Sequence, residues 1–197
     1  MEISHALSDA VLTLTGIYVC YQYLLKLEFN TRLLWQTFVL SISAAAFFGV
    51  IRFLGYAPAK TVSELFQHLA GTAGAFCLVY ASFLLVQQKT ASRNATYIVL
   101  TIGFVAFGIV QLTDNLKVLQ LVSLVAIPLV LFIGIFGLIK GRSTVGSLLI
   151  LGVLALILAT YNKSFIPNSI LDPTDVYHYL VAISLFCFGR AARHQMA

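Results

Sequence analysis

Two short stretches put a carboxylate and an imidazole on one face of a helix, the raw material of a metal site or a proton relay. In Thr61-Val-Ser-Glu64-Leu-Phe-Gln67-His68 the i, i+4 spacing aligns Glu64 with His68, and in Asp172-Pro-Thr-Asp175-Val-Tyr-His178 the i, i+3 spacing aligns Asp175 with His178. Capping offers the acids a simpler role. Thr61-x-x-Glu64 is a capping box, and Asp172-Pro173-x-Asp175 joins an N-cap Asp, a Pro at the first helical position and an acid at the third. Neither histidine is at a cap. Arg52 closes an apolar run rich in small residues, Ser41 to Gly49, and an arginine at that depth needs a carboxylate partner or a route to the interface. The expected polar cluster is therefore Asp9, Arg52, Glu64, His68, Asp175 and His178, with Arg52 paired to Asp9 or Asp175. A permanent cation there disfavours a divalent metal, so no metal and no cofactor is expected.

The elements that carry these residues are apolar. The 197-residue chain is 60% hydrophobic and 10% charged, with a mean hydropathy of +0.95, too apolar for a domain that must keep its surface wet. A bilayer span takes roughly 20 mostly apolar residues. Seven such runs fill the sequence: Asp9 to Leu27, Leu33 to Gly55, Ser63 to Val86, Thr96 to Leu112, Val118 to Ile139, Thr144 to Tyr161 and Pro173 to Arg190. They predict a single domain over 1–197, an all-α integral membrane bundle of seven transmembrane helices with short loops. The acidic N-terminus lacks the basic start and small-residue cleavage site of a signal peptide, so the first helix is expected to remain. Cys20, Cys77 and Cys187 all fall in apolar runs without metal spacing and read as buried thiols. Tyr161, Phe165, Tyr177 and Tyr179 on one side and Trp35 on the other suit aromatic belts.

Charge gives the orientation. One set of loops carries Lys26, Arg32, Lys89, Arg93, Lys140, Arg142, Arg190 and Arg193, and the other Arg52, Lys60, Lys117 and Lys163. The excess favours a cytoplasmic C-terminus and an outer N-terminus. Glu2, Asp9, Glu64, Asp114, Asp172 and Asp175 fall on the outer side, which is where chemistry is expected. His68 and His178 each lie five residues into their runs, so the two are expected at similar depth. The basic residues pair at helix ends with no stripe or interleaved aromatics, which argues against nucleic acid. Asn162-Lys-Ser164 matches the glycosylation pattern, a frequent accident.

The opening of the last helix, Asp175-Val-Tyr-His178-Tyr-Leu-Val-Ala, with Phe47-Phe48-Gly49-Val-Ile-Arg52, resembles the seven-helix superfamily of alkaline ceramidases and progestin and adiponectin receptor-like proteins. The resemblance implies a zinc held by three histidines, one at the end of helix two and two near the final helix, acting on a lipid amide. His178 matches one of these ligands, with Asp175 beside it. Arg52 occupies the helix-two position, and no second histidine follows in the last helix. Such a member has lost the metal. The absence of a lysine inside the last run excludes a retinal Schiff base. The leading expectation is thus a non-enzymatic membrane protein, an accessory subunit packed against other membrane protein subunits or a lipid-binding module whose partner is membrane lipid. The alternatives are a ceramidase-like metal-dependent hydrolase with a depleted site and a small proton-coupled transporter.

Overall fold

Away from water a chain must satisfy its backbone polar groups internally, and helices do so within each segment. The computed structural model describes residues 2–113, 116–165 and 172–196, and these form seven helices with no strand among the described residues. Asp114 and the side chains of Glu2, Lys163 and Phe165 lie outside the described residues. Helix α1 spans Glu2–Val19 and closes with a π-helical turn, Cys20–Leu24. Helix α2 spans Phe29–Phe53. Helix α3 spans Ala59–Leu69, passes through a π-helical turn, Ala70–Gly74, and continues as Ala75–Gln87. Then come α4 (Arg93–Thr113), α5 (Leu116–Ile139), α6 (Ser143–Phe165) and α7 (Pro173–Ala192). The first six are long and apolar enough to cross a membrane. Helix α7 falls short of that measure, and the residues that lower its hydropathy include Asp175 and His178.

Helices α1, α2, α3, α5, α6 and α7 pack side by side in a closed ring, and α4 leans on the outside of α3. Small residues set the closest approaches, as they do where helices with apolar outer faces pack tightly. A Cβ at Gly16 of α1 would overlap Ser43 of α2, and one at Gly103 of α4 would meet the backbone of Ala73 in the α3 π-turn. The core holds Leu24, Trp35, Leu85, Leu149, Leu185 and Phe188, all essentially inaccessible. All three cysteines are buried and free.

Several expected boundaries shift. Helix α1 begins at Glu2 rather than Asp9, because Ile3, Ala6 and Leu7 continue the apolar periodicity upstream. Asp9 therefore sits seven residues inside, roughly 10 Å from the helix start at 1.5 Å per residue. Helix α3 begins at Ala59 behind Pro58, whose φ of −61° is already helical. Glu64 thus lies in the second turn and caps nothing. It faces Lys60 at 3.7 Å on an exposed surface. The same shift sets His68 nine residues into α3, while His178 lies five residues into α7, so their depths differ. Trp35 is fully buried rather than in an aromatic belt, with its Nε1 donating to Gln195 at 3.4 Å. Tyr161, Tyr177 and Tyr179 are exposed.

Candidate functional site

The N-terminal ends of α1 and α7 lie against one another, and each end carries acids and imidazoles. Asp172 caps α7 by accepting from the Thr174 N–H at 2.8 Å, with Pro173 at the first helical position. That hydrogen bond holds the Asp172 carboxyl below its usual range. One helical turn on, Asp175 is 5% exposed and is the hub of the site. Its Oδ1 accepts from Ser8 Oγ at 2.7 Å and contacts His5 Nδ1 at 2.9 Å, while Oδ2 accepts from Ser4. His5 reaches Asp172 through its other nitrogen, Nε2 to Oδ2 at 3.7 Å. The ring also packs on Phe53 with centroids 5.1 Å apart. His178 Nδ1 lies 3.0 Å from Ser8 Oγ and 3.3 Å from Asp9 Oδ1.

Asp9 is 4% exposed, and α2 makes room for it. Any Cβ at Gly49 would overlap the Asp9 carboxylate, so the glycine is a notch that receives the acid. Beyond Asp9 toward the middle of the bundle come Thr13, whose hydroxyl donates to the Asp9 carbonyl at 2.9 Å, and Ser43. From there inward the buried neighbours are mainly apolar, Val19, Leu185 and Phe188, with the unpartnered hydroxyl of Ser184 among them. Asn162 of α6 braces the rim, donating to the Pro173 carbonyl at 2.5 Å. That buried, engaged amide is in no position to accept a glycan.

Of the six expected site residues, Asp9, Asp175 and His178 come together. Arg52 forms no ion pair with them at contact distance, although its charge acts on Asp9 from farther off. Its guanidinium lies over the Phe53 ring, 4.9 Å from the centroid, and among the described residues it makes no ion pair. The physical reason is the exposed end of α2, where an arginine keeps its hydration and needs no buried partner. His68 bonds Gln111 of α4 at 2.8 Å, on the far side of α2 from the α1–α7 contact. Ser4, His5 and Ser8 are site residues that the sequence reading passed over. Their signal was the i, i+4 register Ser4–Ser8 and His5–Asp9, hidden by starting the first helix at Asp9.

The donors do not fit a zinc centre of the kind the ceramidase-like resemblance implies. His5 and His178 each turn Nδ1 onto a carboxylate instead of converging on a common point. Among the described residues no three His, Cys, Asp or Glu side chains are grouped to hold a metal ion. A nucleophilic triad does not fit either. A base that takes a proton from serine engages it on one ring nitrogen and the acid on the other, whereas Ser8 and Asp9 both approach Nδ1 of His178.

The arrangement does allow a proton to pass from group to group. The order is Asp172, His5, Asp175, Ser8, His178 and Asp9, with successive separations of 3.7, 2.9, 2.7, 3.0 and 3.3 Å. No curated protein and no solved structure matches the sequence. The family model that matches covers residues 4–197, site residues included, and by that match the chain belongs to DUF6962, a family of unknown function.

Proposed function

We propose that this is a non-enzymatic, multi-pass membrane protein that takes up protons at its acidic end, the N-termini of α1 and α7, and couples their binding to movement of these helices. In this reading seven helices cross the bilayer, with the N-terminus outside and the C-terminus cytoplasmic, so Asp172 faces the outer medium. The observation that carries the proposal is the series of side chains from Asp172, 31% exposed, to the buried Asp9, which begins with an ion-pair contact at 3.7 Å and continues at 2.7 to 3.3 Å. Ionisable groups inside a bundle are costly, and unbroken series of them mark proton paths.

Each step has a chemical basis. His5 presents its two nitrogens to two different acids, so a proton accepted at Nε2 from Asp172 lets another leave Nδ1 for Asp175. Protonated Asp175 gives its proton to Ser8 Oγ as the Ser8 proton moves to Nδ1 of His178. That nitrogen lies within reach of Asp9 as well, so Asp9 is the terminal acceptor. Below Thr13 and Ser43 the buried neighbours are mainly apolar and the Ser184 hydroxyl has no partner, which supports a loading half-path over an open channel, and release then requires α1 and α7 to shift. The accessory-subunit reading draws its support from α4 and α5, whose membrane-length windows are only 17% and 22% buried.

The test is infrared difference spectroscopy of the protein in lipid across an acid titration. Above the acidic range in which Asp172 titrates, a protonated carboxyl band should appear in the wild type and be missing in Asp9→Asn. His5→Phe should slow its appearance after a pH jump while leaving its final amplitude unchanged. A wild-type band that survives in Asp9→Asn, or a rate that ignores His5, overturns the proposal.

A further inference from the structure

A second feature lies at the other end of the bundle. A cavity of about 330 Å³, at the small end of the range for ligand pockets, opens sideways between α2, α3 and α4. Its walls are Leu33, Leu40 and Ala44 of α2, Phe66 and Leu69 of α3 and Phe104 of α4. Gln36 and Thr37 also line it. The Thr37 hydroxyl is returned to the Leu33 carbonyl at 2.8 Å, but among the described residues the Gln36 amide has no hydrogen bond. An amide without a partner beside an apolar groove suits a ligand with both a polar group and a hydrocarbon chain.

Charge identifies that ligand. The start of α4 is pinned to the start of α2, because the Ala91 N–H donates to Thr31 Oγ1 at 2.8 Å and both residues are buried. Arg32 follows Thr31 and Arg93 closely follows Ala91, so two arginines start from this corner, the Arg32 guanidinium also donating to the Leu25 carbonyl at 3.3 Å. Each lies over an aromatic ring of its own helix, Arg32 over Phe29 and Arg93 over Tyr97, both 5.5 Å from the centroid. Arg32, Gln36 and Leu40 repeat at i, i+4, and Arg93, Tyr97 and Phe104 also share a face, so both rows lead from the arginines to the groove. The one acid at this corner, Glu28, is occupied as the cap of α2, accepting from the Asn30 and Thr31 N–H groups at 3.1 Å. From Arg32 to Ala44 is roughly 18 Å of helix, long enough to seat a headgroup, a glycerol ester and part of an acyl chain.

We propose that this groove binds one anionic glycerophospholipid from the leaflet at the basic end of the bundle, with its phosphate between Arg32 and Arg93, an ester carbonyl at Gln36 and a chain along Leu40, Ala44 and Phe104. The site is independent of the acidic end and stands or falls without the proton path.

Native mass spectrometry of the full-length protein, released from nanodiscs with equal phosphatidylglycerol and phosphatidylcholine of matched chains, reads the preference directly. Two arginines at about 1 kcal/mol each predict one retained lipid enriched about thirtyfold in the anionic form. Arg32→Gln with Arg93→Gln should abolish the enrichment, while the control Arg193→Gln, at the same end of the bundle, should keep it. Ala44→Phe fills the groove, leaves both arginines in place and should expel the lipid. An unenriched wild type overturns the assignment, as does enrichment that survives in the double variant or is lost equally in Arg193→Gln. Retention by folded, monodisperse Ala44→Phe also overturns it.

Discussion

The α1–α7 contact and the α4–α5 wall are made of the same kind of helix and are held by different physics. At the first, four side chains from two helices, Ser4, His5, Ser8 and His178, converge on Asp175 and Asp9, and those carboxylates are 5% and 4% exposed. At the second, apolar side chains such as Ile102, Val105, Leu124 and Phe132 face outward, and only 17% of the α4 window is buried. In a membrane an outward apolar face is at no disadvantage, so the wall can be smooth and loosely joined. A buried acid has no such freedom. It must be surrounded by donors, and these fix both the register and the separation of the helices that carry them. The lesson is that polar content, more than hydrophobicity, determines where this bundle is tightly specified.

The largest expected effect is at the hub. Asp175→Ala removes the acceptor shared by Ser4, Ser8 and His5 and should cost about 3 kcal/mol, as breaking a buried ionic pair does. Thermal unfolding in detergent measures it. Gln111→Leu, which removes the polar tie between the wall and His68, should cost about 1 kcal/mol by the same assay. Equal losses would erase the distinction between the two regions.

Glycine substitutions sharpen the contrast at a smaller scale. Gly49→Ala forces the Asp9 carboxylate out of its notch and should destabilise by about 2 kcal/mol, the cost of overpacking a filled site. Gly108→Ala on α4 meets nothing within 4 Å and should be neutral or stabilise by up to roughly 1 kcal/mol through helix propensity. A neutral Gly49→Ala would mean that the notch is wider than its contacts indicate.

The smallest effect is a pH dependence at the rim. The folded carboxyl of Asp172 is held below its ordinary range by the Thr174 N–H. Its contribution is therefore complete above the unfolded value of about 3.9 and is lost as pH falls through the lower folded value. Asp172→Asn keeps the cap and removes the titration, so its melting temperature should fall less steeply over that acidic range than that of the wild type. Identical slopes would show that the cap does not depend on charge.

The seven helices were legible because hydropathy is a local property and each run is bounded by charges or proline. The Asp172-Pro173 start of α7 was legible for the same reason, since a cap involves neighbours in sequence. The start of α3 was misread because Thr61-x-x-Glu64 satisfies the capping pattern whether or not the helix begins there. Pro58, three residues upstream, determined the outcome. Asp175 and His178 could be placed on one face from their spacing alone, and so could Glu64 and His68. Nothing local distinguishes the two pairs.

That difference was set by tertiary structure. Asp175 and His178 are met by Ser4, His5, Ser8 and Asp9 because α1 and α7 close the ring, whereas Glu64 faces outward to Lys60 and His68 meets Gln111. Sequence by itself determined which segments are helical and which residues were too costly to leave without a partner among apolar helices. Which of those residues would meet depended on ring closure, because their partners lie about 170 positions apart in the chain, and helical periodicity carries no information across that distance.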